Sequence, residues 1–386
     1  MCIINIVKKK ILIVTERRAD YSKFRPVINE IKKSKKLDYF LIVTGSHLRK
    51  ENGYTINDIK NDGFKIHSKF RMYEKNHKDS GEHMVRSLGK SIMSLSDKVA
   101  EIKPDIILSG FDIGANFAVA IVGAHMNILV AHMEGGEVTG TIDESIRHAT
   151  TKFAHVHFTT NPLATKRLIK MGENPKYVFT VGNSSLDNML KIPKYSKKRI
   201  CNDYDLNPKD PYVVVMMHTV TSEIKQIQEY MKNVIDAITE LNIQAILIRG
   251  NADAGSNKML QIIKNSKIKE YLSIPFSNYI NLLRNSSALV GNSSSGIMEA
   301  PFLRIPSVNI GTRQLGRLRS KSVIDCNYEK SNIKNAITKA INDKKFLKSI
   351  PSNQNLYGIG NSSKQIVKIM EKLDLDTIPT QKIFYE

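Results

Sequence analysis

Apolar residues in this chain fall into two patterns: short runs of strand length, and longer stretches in which they recur every three or four positions. KILIVT (10–15), YFLIVT (39–44), DIILSG (105–110), NILVAH (127–132) and VHFTT (156–160) are of the first kind. SKFRPVINEIKKS (22–34) and EHMVRSLGKSIMSLSDKVAEIK (82–103) are of the second. A strand apolar on both faces must be covered on both, so strands alternating with amphipathic helices predict βαβ units and a parallel sheet. The rhythm stops at KIPKYSKKRICNDYDLNPKDP (191–211), which is polar, basic and broken by prolines. It restarts with YVVVMMH (212–218), AILIRG (245–250), SALVGN (287–292) and SVNIG (307–311). This predicts an α/β protein of two Rossmann-like domains, at 1–190 and 211–365, joined by a linker at 191–210. The 386 residues suit two domains. The terminal stretch 366–386, with the helical SSKQIVKIMEKLDL leading into it, is expected to pack back on the first domain.

Polar, glycine-bearing stretches follow directly after the strands: TERRADY, TGSHL, SGFDIGAN, HMEGGE, MHTVTSE, RGNADAGS and GNSSSG. Open parallel sheets bind ligands at the carboxyl ends of their strands. Two such domains predict one cleft with a substrate held between them.

Several of these loops carry chemistry, and each has a plainer explanation beside it. In GNSSSGIMEAP (291–301) a helix starts near Ser295. Its free N–H groups and positive dipole end suit a phosphate, with Ser293 and Ser294 adding hydroxyls, Gly296 in the first turn and Glu299 placed for ribose hydroxyls. Ordinary serine capping fits the same residues, and the Walker pattern is absent. In ERRADYSKF (16–24), Arg17 and Arg18 form a guanidinium fork suited to phosphate, or Asp20 and Ser22 merely cap the next helix. GTRQLGRLRS (311–320) offers Arg313, Arg317 and Arg319 to a diphosphate, or to solvent. His155 and His157 share one face of a strand, but a third ligand is not evident and no metal is expected. His218, ending YVVVMMH, stands where the cleft should be.

HMEGGEVTGTIDESIRHATTKFA (132–154) gathers Glu134, Glu137, Asp143 and Glu144 around Gly135, Gly136 and Gly140. Asp143 and Glu144 open a helix and have Arg147 at i+4 and i+3, so dipole and ion pairing account for both. Glu134 lacks such an account. It follows an apolar strand and precedes two glycines, and is expected to face the cleft.

Charge then narrows the function. Lys and Arg number 58 against 37 Asp and Glu, a formal net charge of +21. The lysines are spread along the chain, often as KK pairs, without RNP-type aromatics or zinc-finger spacing. That reads as a solvated surface rather than a nucleic-acid interface, and its field attracts an anionic nucleotide. Cys2, Cys201 and Cys326 are scattered, which argues against a disulfide framework and for a reducing compartment. No apolar run approaches the roughly 18 residues of a membrane span. MCIINIVKKKILIVTERR has its charges after, not before, its first apolar segment, unlike a signal peptide. A cytoplasmic protein without a membrane partner is expected.

ERRADYSKF, VTGSHL, HMEGGEVTGTIDESIRH, NADAGS, GNSSSG and GTRQLGR, in this order over residues 10–325, resemble the hydrolysing UDP-N-acetylglucosamine 2-epimerases. The pattern HxEGGExxGTIDxSIRH is the most specific of them. The resemblance implies a GT-B-type pair of Rossmann-like domains with the active site in the interdomain cleft, and a homo-oligomer, dimer or tetramer. It implies elimination of UDP to a glycal-type intermediate and addition of water to give N-acetylmannosamine, with no metal or redox cofactor, in sialic- or legionaminic-acid-type biosynthesis. By matching position it assigns Asp112, Glu134 and Asp143 as catalytic carboxylates and His218 as the aid to the leaving diphosphate. Arg18, Ser22, His47, Asn251, Asp253, Ser293, Ser294, Gly296, Glu299 and Arg313 become substrate contacts. Family members usually carry Gly-Asp-Arg where this chain has Gly110-Phe111-Asp112, and His218 is followed by Thr219 rather than proline. These departures suit a variant sugar such as UDP- or GDP-linked N,N′-diacetylbacillosamine. A non-hydrolysing epimerase or a glycosyltransferase of the same architecture stands as the alternative, and a basic nucleic-acid-binding protein as a distant one.

Overall fold

The computed structural model describes residues 7–74, 78, 80–250, 254–351 and 356–386. Strands β1 (Lys9–Thr15), β2 (Leu37–Val43), β3 (Ile66–Lys69), β4 (Ile106–Gly110), β5 (Leu129–Met133), β6 (Val156–Thr159) and β7 (Val178–Thr180) form the first sheet. Its order is β3-β2-β1-β4-β5-β6-β7, and every pairing is parallel. Strands β8 (Tyr212–Met216), β9 (Gln244–Ile248), β10 (Lys269–Tyr271), β11 (Ala288–Gly291), β12 (Ser307–Ile310) and β13 (Val323–Cys326) form the second. Its order is β10-β9-β8-β11-β12-β13, again wholly parallel.

Alternate residues of each central strand enter different cores. Ile11 and Ile13 pack on one face of β1, Leu12 and Val14 on the other. Val213 and Val215 pack on one face of β8, and Val214 joins Ile246 on the other. Both faces are covered by helices, which is why these strands read as unbroken apolar runs. The edge strands β3, β7, β10 and β13 carry no such run, and the hydrophobic pattern does not reveal them.

The stretch between the domains is more than a tether. It forms the helix Lys197–Asp203, and Ile200, Cys201, Tyr204 and Leu206 share a core with Tyr212 and Val214 of β8. The terminal helix begins at Ser362 and runs to Lys372, and Ile366, Val367, Met370 and Ile378 lie in the core of the first sheet beside Ile11 and Phe24. The tail beyond it is anchored by charge. Glu173, fully buried, pairs with Lys152 at 2.8 Å, with His157 at 3.0 Å and with Lys382 of the tail. Burial pushes the Glu173 carboxyl up, but His157, Lys152 and Lys382 together pull it down to about 2. His155 meets the carbonyl of Thr380 at 3.0 Å. The HVH pair therefore holds the C-terminal tail. Among the described residues no group of three or more His, Cys, Asp or Glu is placed to hold a metal, and no helix is long and apolar enough to cross a membrane.

Candidate active site

In each sheet the chain reverses its direction of winding at one place: between β1 and β4 in the first, between β8 and β11 in the second. Loops diverge there and leave a crevice at the strand ends. Arg17, Arg18 and Ser22 follow β1 and Phe111 and Asp112 follow β4; His218 follows β8, and Ser293 and Ser294 follow β11. All of them line one cavity of about 590 Å³ between the domains, together with Asp143, Arg147, Glu299, Arg313 and Arg317. The domains meet around it. Arg18 donates to Ser273 Oγ at 2.8 Å and to the Leu272 carbonyl at 3.0 Å. Gly140 N–H donates to the Arg313 carbonyl at 3.1 Å, and Arg317 Nε to the Val138 carbonyl at 3.1 Å.

The first-domain wall is acidic and strained. Phe111 and Glu134, each directly after a strand, have φ of 68° and 61°. Left-handed backbone is uncommon for residues with a side chain, and Phe111 holds it in the lining of the cavity. Asp112 Oδ2 accepts from Arg147 Nη2 at 2.6 Å. Burial pushes the Asp112 carboxyl up, yet Arg147, then Lys23, Arg317 and Arg313, outweigh it and hold the group well below the usual carboxylate range.

Arg147 does not make the helix ion pairs with Asp143 and Glu144 that its spacing suggests. On the helix Ile142–Phe153 it lies on the buried face, 1% exposed, and reaches Asp112 and the Glu137 carbonyl. Arg147 is enclosed by protein while Asp112 is only partly buried, and a guanidinium taken out of water gains most from a carboxylate held directly against it. Asp143 instead approaches Arg313 of the second domain at 3.6 Å, and Glu144 accepts from the Thr139 N–H at 2.7 Å.

The second-domain wall suits an anion. His218 N–H donates to Asn292 Oδ1 at 2.7 Å, and Asn292 Nδ2 returns a bond to the His218 carbonyl at 2.8 Å. The Asn292 carbonyl also accepts from Arg313 at 3.1 Å and Gln314 at 2.8 Å. One asparagine thus fixes the histidine, the arginine loop and the serine turn. Sequence reading passes over it as one more polar residue in GNSSSG. Gly291 before it has φ of 137°, and a Cβ there would stand 2.1 Å from the Met216 carbonyl, so only glycine lets β11 approach β8 this closely. Burial, then Arg313, Arg17 and Arg18, drive the His218 pKa well below its ordinary value against the weaker pull of Asp112. Ser295 hydrogen-bonds Glu299, so that carboxylate is already oriented at the helix start.

Residues 29–371 match the family model of UDP-N-acetylglucosamine 2-epimerase. The chain is 36% identical over 341 residues to a UDP-N-acetylglucosamine 2-epimerase of Neisseria meningitidis serogroup B, covering 88% of this chain and 89% of that one. This chain belongs to the UDP-N-acetylglucosamine 2-epimerase family. It is also 32% identical over 373 residues to a UDP-N,N′-diacetylbacillosamine 2-epimerase (hydrolyzing) of Legionella pneumophila, covering 95% and 97% of the two chains. A crystal structure of UDP-GlcNAc 2-epimerase from Neisseria meningitidis, bound to UDP-GlcNAc, matches with a TM-score of 0.81 at 20% identity, over 94% of this chain and 100% of that one. The fold is thus the GT-B-type pair of α/β domains.

Not every residue assigned by the family pattern reaches the cleft in this member. Arg18, Ser22, Asp112, Asp143, His218, Ser293, Ser294, Glu299 and Arg313 line it. Asn251 and Asp253 lie outside the described residues. Gly296 lies outside the lining, and a Cβ there would stand 2.4 Å from Ser307 Oγ, so it serves helix–strand packing. Glu134 is 3% exposed and also lies outside the lining.

His47 is fully buried and outside the cavity lining, and sits between Thr15 Oγ1 at 3.0 Å and Thr55 Oγ1 at 2.7 Å, so both of its ring nitrogens are paired. Burial and then the Arg18 guanidinium press its pKa from 6.5 down to about 3. The unfolded chain takes up a proton there between pH 6.5 and 3 while the folded chain does not. Stability is therefore complete above pH 6.5 and is lost as the pH falls. Asp20 works in the opposite sense: burial raises it to about 6, so the stability it contributes is lost as the pH rises through 6. We expect urea midpoints measured from pH 7 to pH 5 to fall. His47→Gln should make that slope shallower by about 1 kcal/mol per pH unit. Asp20→Asn should make it steeper. An unchanged slope in His47→Gln would show that this histidine is protonated in the folded protein.

Proposed function

We propose that this chain is a hydrolysing nucleotide-sugar 2-epimerase converting UDP-N-acetylglucosamine and water to N-acetylmannosamine and UDP. The observation that carries this reading is one cleft with opposed walls. Asp112 and Asp143 stand on one side; Ser293, Ser294, Arg313 and His218 stand on the other. The C2 proton of the sugar is weakly acidic, and its removal calls for a fixed carboxylate base. The departing diphosphate calls for fixed donors and cations. In the first step a carboxylate takes the C2 proton, a C1–C2 double bond forms and the C1–O bond to UDP breaks. In the second, water oxygen bonds to C1 and a proton is delivered to the opposite face of C2.

A second substrate, the UDP- or GDP-linked N,N′-diacetylbacillosamine, is favoured by Phe111, an apolar residue where the family usually carries a charged one. Incubation with UDP-N-acetylglucosamine in deuterated water, followed by proton NMR, tests both. Free UDP with N-acetylmannosamine deuterated at C2 is the expected result. Deuterated UDP-sugar without UDP release would make the enzyme non-hydrolysing. Turnover of the bacillosamine analogue alone would select the second substrate. No change in either sugar overturns the reading.

The meeting of the two domains bears on this activity. A methyl group at Gly140 would lie 2.2 Å from the Thr312 carbonyl and 3.3 Å from Leu315 Cβ, so Gly140→Ala must push the arginine loop away. We expect UDP to bind about tenfold more weakly to that variant by calorimetry, a loss of about 1.4 kcal/mol. UDP binding as tight as that of the unaltered chain would show that the loop contact does not shape the site.

A further inference from the structure

A second cluster of titratable side chains lies outside the cleft, where the C-terminal tail meets β6. Lys382 of the tail pairs with the enclosed Glu173 and donates to the Thr151 carbonyl at 2.7 Å. Glu173 Oε2 also stands 3.0 Å from His157 Nε2. The His157 ring lies 6.4 Å from that of His132, centre to centre, and His132 Nδ1 meets Thr151 Oγ1 at 3.2 Å. His157 Nδ1 and His132 Nε2 are enclosed and have no hydrogen-bond partner among the described residues. Tyr385 N–H donates to the Gly172 carbonyl at 3.0 Å, and the Phe384 ring fills the space a Gly172 side chain would need, so the tail is seated beside the acid.

The strands that carry these histidines, β5 and β6, also carry the glycine-rich turn of the acidic wall. A Cβ on Gly135 would stand 2.9 Å from His132 Nδ1, so the turn is folded directly onto that ring. Glu134 N–H donates at 2.9 Å to the carbonyl of Phe158, the residue after His157. Thr160 and Asn161, just beyond β6, hold the Glu137 carboxylate, with Asn161 Nδ2 at 2.6 Å. Both acids act on Arg147, which bonds Asp112 in the cleft. A shift of β6 against β5 therefore moves the wall that holds Asp112.

One further positive charge would cause such a shift. A carboxylate beside an imidazole favours its charged form. Protonated at both nitrogens, His157 would hold an enclosed N–H without an acceptor, and its charge would add to those of Lys152, Lys382 and Arg147. Burial holds the His157 pKa below its ordinary value against the pull of Glu173, with Lys382 and His155 on the same side as burial. For His132, burial, then His157, Arg147 and Lys382, act in the same direction against Glu173. Lys152 belongs to the helix Ile142–Phe153, whereas Lys382 is brought to Glu173 by the tail.

We infer that Lys382 is a positioning residue for the active site: by satisfying Glu173 it keeps a proton off the His132–His157 pair and so keeps the acidic turn in place beside Asp112; this rests on the proposed epimerase activity. The tail is then a strap whose ammonium stands in for a proton. A tail that anchored the fold and nothing more would affect activity equally at every pH.

Two pH titrations of the full chain test this. One follows the histidine ring signals by NMR, with His157→Gln identifying the His157 signal; the other follows kcat for UDP release from about pH 5.5 to about pH 9. In Lys382→Met the His157 midpoint should rise by about one unit. The acid limb of kcat should rise with it, so the variant is about tenfold slower than the unaltered chain at the acid end and equal to it at the alkaline end, with KM little changed. Lys382→Met/Glu173→Gln should bring both midpoints back down, because no carboxylate is left to draw the proton, a rescue that packing alone does not produce. An unmoved His157 midpoint in Lys382→Met would overturn the inference, as would an acid limb that stays in place while the midpoint moves. A kcat loss equal at every pH, or a double variant no faster than Lys382→Met, would make the tail a structural anchor alone. Should Lys382→Met fail to fold, Lys382→Gln, which can still donate to Glu173 without the charge, takes its place in the same comparison. Absence of UDP release from either nucleotide sugar by the unaltered chain would remove the epimerase reading, while the NMR titration would still report whether Lys382 governs His157.

Discussion

Replacing Asp112 with asparagine should lower kcat for UDP release by about three orders of magnitude, the upper part of what general-base catalysis contributes. Asparagine keeps the shape and can still accept through Oδ1 from Arg147, now 2.6 Å away, so the fold should persist while the base is lost. The pH dependence sharpens the expectation. Asp112 is held well below the usual carboxylate range despite its burial, by Arg147 first and then by Lys23, Arg317 and Arg313. A carboxylate that acidic is a weak base. Arg313 and Arg317, however, belong to the second domain, on the side where the diphosphate is proposed to sit. Once phosphate oxygens pair with them, their hold on Asp112 weakens and its basicity rises. If Asp112 is the carboxylate that takes the C2 proton in the proposed reaction, bound substrate raises its basicity. Measured kcat above a tenth of the unaltered value in Asp112→Asn would move the base role to Asp143.

The second large effect falls on stability. Arg147→Met should cost about 3–5 kcal/mol, the usual result of leaving a buried charge without its partner. Methionine fills much of the volume, so the loss reports charge rather than a cavity. Four acids, Asp112, Glu134, Asp143 and Glu137, favour the charged form of Arg147 strongly enough to outweigh its burial. Without it they repel one another at the centre of the first-domain wall. Urea denaturation at constant pH measures the loss. A change under about 1 kcal/mol would mean that water entering from the cleft solvates the partly exposed Asp112 in the variant. The conservative change Arg147→Lys should recover only part of the stability, because an ammonium cannot reach Asp112 and the Glu137 carbonyl at once.

Most of the fold and part of the site are legible in the residues, for reasons that can be named. Among the described residues, nine central strands show as apolar runs because helices cover both their faces. The four edge strands do not show, because half of each faces away from the core and their pairing is set by a neighbour distant in sequence. The carboxyl-end loops give away Arg18, Asp112, Asp143, His218, Ser293, Ser294 and Arg313, since polar residues after a buried strand have few places to point other than the crevice. His47 and Gly296 sit in equally suggestive loops and serve the core. Which way a loop residue turns is decided by contacts such as Thr15 and Thr55 around His47, or Ser307 against Gly296.

Two parallel α/β layers, the end of each layer at which the cleft opens, and the family to which these motifs belong are all readable from the residues alone. Those follow from hydrophobic period and from chemistry confined to short motifs. That Arg147 serves Asp112 rather than its helix neighbours, that Asn292 ties together the second-domain wall, and that the Lys23 ammonium pairs with Glu134 emerge from the folded chain alone. Each of these pairings joins residues 35 to 111 positions apart, or loops on different strands. Their partners are chosen by burial and charge in three dimensions, where local spacing carries no information.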